Sequence, residues 1–222
     1  MIARAGVRAA LAAAALIAVA LTSLAAADRL MPGDQALADA LQATPGGHAL
    51  EAAADVLALR GIEYAAALSA SALALARRRY AIAAAVLGVI FAGQFNPTVK
   101  ELIGRARPAA ADVVLREPAP GYGYPSGHVW SATLLYGYAA VSALRAAPGR
   151  AGAFVAAAAA TATLLIAWDR VWDGAHWPSD AVGSAALCLL LLAACFAGAD
   201  VVARGVAGRR GGRDEAEAAR RP

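Results

Sequence analysis

The run DAVGSAALCLLLLAACFAGAD, from Asp180 to Asp200, carries no charge between its two ends. A helix of about 20 residues rises about 30 Å, the thickness of the hydrocarbon layer of a bilayer. Apolar residues occupy every side of it, whereas a helix resting on a soluble core shows an apolar stripe and a polar face. Working outward, further apolar blocks lie near residues 6–27, 59–76, 80–97, 127–145 and 151–168, with 180–200 as the last. The block at 59–76 is the weakest, because Glu63 lies inside it and Leu57, Leu59 and Arg60 blur its start. The chain has 222 residues, 60% of them hydrophobic and 6% aromatic, above the roughly 45–50% apolar share of soluble domains. The expected fold class is all-α: a polytopic membrane bundle of six transmembrane helices forming one domain over residues 1–208. Segment 28–58, with Pro32, Gly33, Pro45, Gly46 and Gly47, reads as an extramembrane loop with short helical pieces. Segment 209–222 is rich in Gly, Arg and Glu without apolar periodicity, and is expected to be a disordered cytoplasmic tail.

Basic residues orient the bundle. With the N-terminus inside, thirteen of the 20 Lys and Arg fall on the same side, at Arg4, Arg8, Arg77–Arg79, Arg145, Arg150 and Arg204 onward. The positive-inside bias then places both termini in the cytoplasm and turns loops 28–58, 98–126 and 169–179 outward. Arg4 and Arg8 followed by an apolar run and Ala25-Ala26-Ala27 also fit a secretory signal. The run is long for a signal core, which favours a retained span, and either reading leaves the later loops on the same side. The net charge of +4 sits beside apolar blocks rather than on one basic face, which points to lipid and not to nucleic acid. Cys188 and Cys195 share one apolar block about 10 Å apart along a helix, too far to bridge, and read as packing residues.

Three polar clusters lie at the outer ends of these spans, where burying polar groups usually marks function. The first contains Lys100, Arg107 and Pro108. If the stretch after Pro97 is helical, the two cations sit two turns apart on one face, fit for phosphate oxygens or for lipid headgroups. The second is Pro125-Ser126-Gly127-His128 at the start of the fourth span. Ser is a favoured N-cap, Gly allows close approach, and the free N–H groups of a helix start suit an anion; an ordinary cap with a surface histidine fits equally. The third is Arg170, His176 and Asp180, in which a carboxylate four residues on can fix the imidazole tautomer and leave the other nitrogen as a nucleophile. Trp168, Trp172 and Trp177 around it read as an aromatic belt at the interface, a role compatible with a site. His48, beside Gly46 and Gly47, reads as a loop residue. No further His, Cys, Asp or Glu cluster has ligand spacing, so neither a metal nor another cofactor is expected.

These residues resemble the three-part signature of the type 2 phosphatidic acid phosphatase superfamily, which also contains vanadium-dependent haloperoxidases. That signature runs Lys-x6-Arg-Pro, Pro-Ser-Gly-His and Ser-Arg-x5-His-x3-Asp, and the resemblance covers roughly residues 60–200. It implies an integral membrane phosphatase acting on a lipid phosphate: phosphatidate, phosphatidylglycerol phosphate or a polyprenyl diphosphate. It implies His176 as the nucleophile forming a phosphohistidine, Asp180 as its orienting partner and His128 as the acid and then the base. Lys100, Arg107, Arg170, Ser126 and Gly127 are implied as the phosphate cradle. The expected setting is a bacterial inner membrane with the site facing the periplasm or exterior. Haloperoxidases are larger soluble enzymes, which the spans argue against. One position departs: Asp169 stands where the family has Ser, and it can either pair with Arg170 or repel a phosphate. A non-catalytic lipid-phosphate binder that keeps the signature is the alternative reading. Neither the lipid nor the oligomeric state can be read from these residues.

Overall fold

The structure, a computed structural model, describes residues 2–27 and 30–218, with side chains described over 6–27 and 30–206. Its described residues form helices α1 (Ile2–Ala26), α2 (Asp34–Gln42), α3 (Gly47–Ala58), α4 (Arg60–Ala76), α5 (Tyr80–Gly93), α6 (Asn96–Ile103), α7 (Gly127–Ala146), α8 (Arg150–Trp172) and α9 (Pro178–Ala218). The protein is all-helical, and it is an integral membrane protein. Among the described residues, four helical stretches are long and apolar enough to cross a bilayer: Gly6–Ala26, Tyr80–Ile103, Arg150–Trp172 and Pro178–Val206. A fifth is reached if α3 and α4, bent by 56° at the break between them, count as one span.

The expected count of six is therefore not met on length and hydropathy, and α7 explains most of the difference. It carries Ser131, Thr133, Tyr136, Tyr138 and Ser142, all buried, so its low apolarity reflects contact with protein rather than lipid. α7 packs against α4, α5, α8 and α9 and is the axis of the bundle. Several of its polar groups are answered within the protein, while Thr133 Oγ1 and Ser142 Oγ have no hydrogen-bond partner among the described residues: Tyr138 Oη meets Ser71 Oγ at 2.6 Å and donates to the Ile82 carbonyl at 3.0 Å. Tyr136 Oη donates to the Leu57 carbonyl at 2.6 Å, and Trp130 Nε1 to the Ala92 carbonyl at 3.3 Å. Glu63, the charge that weakened the second block, is buried and accepts from Ser131 and from Arg60. In lipid no water satisfies such groups, so pairing inside the bundle is what permits them.

Around α7, small residues let the backbones approach closely, as membrane helices require. A Cβ on Gly137 would lie 3.0 Å from Leu192, and one on Gly88 would lie 3.1 Å from Cys195 Sγ. Cys188 and Cys195 are free and serve this packing.

Other expectations need revision. The third block does not run straight to residue 97: α5 ends at Gly93 and α6 begins at Asn96, with Pro97 in its first turn. The segment from 209 is helical as far as Ala218, because Ala, Arg and Glu are good helix formers that extend a helix already nucleated upstream; residues 219–222 lie outside the described residues. The tryptophan belt is only partial. Trp172 and Trp177 are buried, and Trp172 carries the Arg116 guanidinium 3.9 Å from its ring and the His48 ring edge-on.

Segment 28–58, expected as an outward loop, is ordered over its described residues into α2 and α3 and held down on the bundle. Gln42 Nε2 donates to the Val114 carbonyl at 2.8 Å and to the Trp172 carbonyl at 3.1 Å, while its Oε1 accepts from Val114 N at 3.0 Å. Below it, the N-terminal ends of α7 and α9 and the C-terminal ends of α6 and α8 meet at one end of the molecule.

Candidate active site

The first cluster is not arranged as a helix face. α6 stops at Ile103, and Gly104 takes a left-handed φ of 68°, a conformation that Gly adopts without strain. Lys100 is thus helical and Arg107 lies in the extended stretch beyond. What brings them together is the turn at 120–123, whose carbonyls both cations grip. Lys100 Nζ donates to Tyr122 O at 2.7 Å, and Arg107 Nε donates to Pro120 O at 3.2 Å and Gly121 O at 3.1 Å. Neither cation forms a salt bridge among the described residues. Carbonyl dipoles hold them in place without cancelling their charge.

The second cluster is set by Asn96, whose Nδ2 donates to the Pro125 carbonyl at 3.3 Å. Gly127 fits closely there, since a Cβ would stand 3.2 Å from Asn96 Oδ1 and the amide would have to shift by a few tenths of an ångström. Ser126 is the N-cap of α7 and is wholly buried, and its Oγ has no hydrogen-bond partner among the described residues. His128 occupies the first turn of α7 and is exposed. It lies within electrostatic reach of Arg170, His176 and Arg60. Beside Gly127 opens a cavity of about 360 Å³ that reaches inward between α4, α5 and α7, with Arg60, Tyr64, Trp130, Ser131 and Leu134 in its wall.

The third cluster begins where α8 ends. Gly174 has φ of 74°, and a Cβ there would strike the Val114 carbonyl at 2.5 Å, so the chain turns at a position only Gly tolerates. His176 N then donates to the Arg170 carbonyl at 3.1 Å. The His176 ring is buried between Arg107 and Asp180. Arg107 Nη1 lies 3.1 Å from Nε2, and Asp180 Oδ2 lies 3.5 Å from Nδ1. A guanidinium only donates, so Nε2 accepts and carries the lone pair, while the ring proton sits on Nδ1 and faces the carboxylate. At 3.5 Å this contact is too long for a formed hydrogen bond, and Nδ1 has no hydrogen-bond partner among the described residues. Burial pushes the imidazole down to about 4, more than the pull of Asp180 raises it, and Arg107 and Lys100 push the same way as burial. The ring is neutral at pH 7.

The structure places Arg170 differently from the other two cations. Asp169, the residue that departs from the signature, pairs with it: Arg170 Nε donates to Asp169 Oδ2 at 2.8 Å, and Nη2 reaches the same oxygen. Asp173 at 2.8 Å, Glu117 at 3.1 Å and Asp55 at 3.4 Å surround the rest of the fork. The guanidinium is enclosed by carboxylates.

Two further residues at this site escaped the sequence reading. Arg105, buried, donates from Nη1 to Asp180 Oδ1 at 2.5 Å and to Ser179 Oγ at 2.8 Å. Asp34, the first residue of α2, accepts from Arg105 Nη2 at 3.0 Å, Ser179 N at 2.9 Å and Ser179 Oγ at 2.6 Å. Nothing local marks Asp34, whose partners lie far along the chain; Arg105 was in view only as one more outer cation. His48 stands apart from the site, paired at the surface with Glu51.

A family model described as the PAP2 superfamily matches residues 80–202. The fold is similar to that in the crystal structure of the first transmembrane PAP2 type phosphatidylglycerolphosphate phosphatase from Bacillus subtilis. The TM-score is 0.67 at 22% identity, over 84% of this chain and 95% of that one. No curated protein matches. The family match extends over more than half of the chain and takes in every motif residue described above: the chain belongs to the PAP2 superfamily and is a membrane-embedded phosphatase, a hydrolase of phosphate esters.

Proposed function

We propose that this phosphatase hydrolyses a lipid-linked phosphate monoester or diphosphate through a phosphohistidine on His176, at the outer face of the membrane and without a metal. The observation that carries this is the pair of contacts on one buried imidazole, Arg107 at Nε2 and Asp180 at Nδ1. They set a neutral ring with its lone pair turned toward an uncompensated cation, the place where a phosphate would sit. When phosphate arrives, Arg107 transfers its Nη1 contact from Nε2 to a phosphate oxygen. Nε2 then attacks phosphorus, the P–O bond to the leaving group breaks, and His128 gives its proton to the departing oxygen. His128 next takes a proton from water, the oxygen attacks phosphorus, and the P–N bond breaks to release phosphate and restore His176. Asp180 steadies the positive charge that builds on the ring. Lys100, Arg107 and the amides and hydroxyl of Ser126–Gly127 stabilise the equatorial oxygens, which is most of what phosphoryl transfer asks of a protein.

The proposed setting is six spans, α4 and α7 included, with both termini cytoplasmic, the inner membrane of a bacterium as the location and the bilayer as the source of substrate. The cavity beside Gly127 supports a lipid substrate, since apolar chain could lie along Trp130 and Leu134 while the phosphate meets the cradle. Phosphatidylglycerol phosphate, which the Bacillus subtilis protein's description names, joins phosphatidate and polyprenyl diphosphates as a candidate. The enclosure of Arg170 is what a non-catalytic binder would rest on, and turnover separates the two.

The test is phosphate release from the purified protein in detergent over these lipids. Wild type should turn over, His176→Ala should not, and His128→Ala should be slower by about 10²–10⁴-fold, as for a lost general acid. Full activity in His176→Ala would overturn the nucleophile, and a strict Mg²⁺ requirement would overturn the metal-free cradle.

A further inference from the structure

Asp180 is useful behind His176 only while it stays aimed. It is fully buried, and a buried carboxylate needs hydrogen-bond partners for both of its oxygens. Its two oxygens are both committed. Oδ2 accepts from Trp177 N at 2.9 Å and faces His176 Nδ1, while Oδ1 accepts from Arg105 Nη1 at 2.5 Å. Arg105 is the cation in direct contact with Asp180, and its planar fork fixes a direction as well as a charge. The other arm of that fork is held by Asp34 at 3.0 Å. All three residues are at most 3% exposed, so the charges act on each other with little screening.

Asp34 does a second thing. Through Ser179 N and Oγ it satisfies donors in the first turn of α9, the work of an N-cap carried out by a residue from another helix, with its charge at the positive end of the helix dipole. The side chain that steadies Arg105 therefore also anchors the start of α9, where Asp180 sits. Neither Asp34 nor Arg105 is a defined position of the three motifs.

We propose that Asp34 and Arg105 are positioning residues for the reaction, keeping Asp180 directed at His176 Nδ1, so that outer helix α2 is part of the catalytic apparatus. This rests on His176 being the nucleophile. The row Asp34, Arg105, Asp180 carries one net negative charge behind the imidazole, and Lys100 and Arg107 carry positive charge on the phosphate side. Attack turns His176 positive, and the row is ready to meet it. Lys100, Arg107, Tyr124 and His176 are the other titratable or charged groups that feel Asp180.

The experiment compares Arg105→Met, Arg105→Lys, Asp34→Asn and the double variant Asp34→Asn/Arg105→Met, as full-length protein in detergent. Arg105→Met should lower kcat by about 100-fold and Asp34→Asn by about 10-fold, the range for residues that orient a reacting group through a partner. KM should stay within about threefold, since neither residue touches substrate. Arg105→Lys should recover part of the rate by restoring charge without the fork. The double variant should be no slower than Arg105→Met, because one row is already broken.

Nitrogen-15 NMR of the histidines needs no turnover, and should show His176 protonated at Nδ1 in wild type and a mixed tautomer in Arg105→Met. A kcat for Arg105→Met within threefold of wild type or an unchanged tautomer would overturn the proposal. So would additive losses in the double variant. If Arg105→Met does not fold, the near-isosteric Asp34→Asn decides alone: kcat within twofold of wild type overturns it, and a tenfold fall at unchanged melting temperature supports it. A wild-type protein that shows the Nδ1 tautomer but releases no phosphate would refute the phosphatase mechanism and leave the positioning geometry standing.

Discussion

The cations at the histidine-bearing end of the bundle are treated in two opposite ways. Lys100 and Arg107 are held by carbonyl oxygens of the 120–123 turn and by the Ala175 carbonyl. Arg170, which stands beside the same histidine loop, is held by Asp169, Asp173, Glu117 and Asp55. Carbonyls fix a cation and leave its charge available to an anion; carboxylates fix it and cancel the charge. The comparison teaches that membership of a motif does not settle the electrostatic role of a residue. The first half of the cradle is ready for phosphate, and the second has a guanidinium with a full set of partners already.

The largest effect expected from this contrast is on Arg107. Arg107→Ala removes both the donor at His176 Nε2 and a charge on the phosphate, and kcat should fall about 10²–10³-fold, as for a lost preorganised donor. Arg170→Ala removes a charge that four carboxylates already oppose, and should cost only about tenfold in kcat/KM, little more than one partly compensated ion contact. Steady-state kinetics on the two purified variants decides it. Equal losses would mean that the carboxylates release Arg170 when substrate binds, and the contrast would dissolve.

A smaller effect is expected when the departure itself is reversed. Asp169→Ser puts back the residue that the family signature carries and takes away the carboxylate that grips both Nε and Nη2 of Arg170. Breaking a buried pair is usually destabilising because it strands a charge. Here Asp173, Glu117 and Asp55 remain, so the guanidinium is not stranded and the fold should tolerate the change. KM for a lipid phosphate should fall about fivefold, close to 1 kcal/mol, the order of a single exposed ion pair. An unchanged KM would show that Asp169 orients Arg170 rather than masking it.

How much of this could be read from the sequence follows the range of the forces involved. Long apolar runs declare themselves, because every residue of a lipid-facing helix must be apolar, and α1, α8 and most of α9 were evident for that reason. α7 was placed within a residue or two, although its membrane role shows in packing rather than in hydropathy. The motif residues could be named from their types and order, but their geometry could not. Lys100 and Arg107 would share a helix face only if the helix ran on past Pro97 through both, and Gly104 ends it between them. The pairing of Asp169 with Arg170 is one of two alternatives the sequence leaves open, and the positions of Asp55 and Glu117 are what reveal an enclosure. Nothing in the sequence marks the role of Asp34, and Arg105 reads there only as one more basic residue. An ion pair between residues 71 positions apart leaves no periodic trace, and its meaning depends on a third residue, Asp180, further still along the chain.

The finest distinction between the two halves lies in their pH response. Burial, then the neighbouring charge of Asp169, push the Asp173 carboxyl up to about 7 from an ordinary 3.8, against the pull of Arg170. The folded protein keeps that proton where an unfolded chain has released it. Asp173 therefore contributes stability at low pH that is lost as pH climbs from about 4 through 7. It also means that the enclosure of Arg170 gains a negative charge between pH 6 and 8. In wild type, KM should rise by about two- to threefold over that interval from this charge, a fraction of a pKa unit in energy. The phosphate of the substrate titrates in the same range, so the absolute profile is ambiguous. The ratio of Asp173→Asn to wild type is not, since the substrate is common to both. That ratio should change by two- to threefold between pH 6 and 8 and level off on either side. The same ratio measured in an Arg170→Ala background should be flat, because the charge then has no guanidinium to mask. A ratio that still varied there would place the effect of Asp173 somewhere other than Arg170.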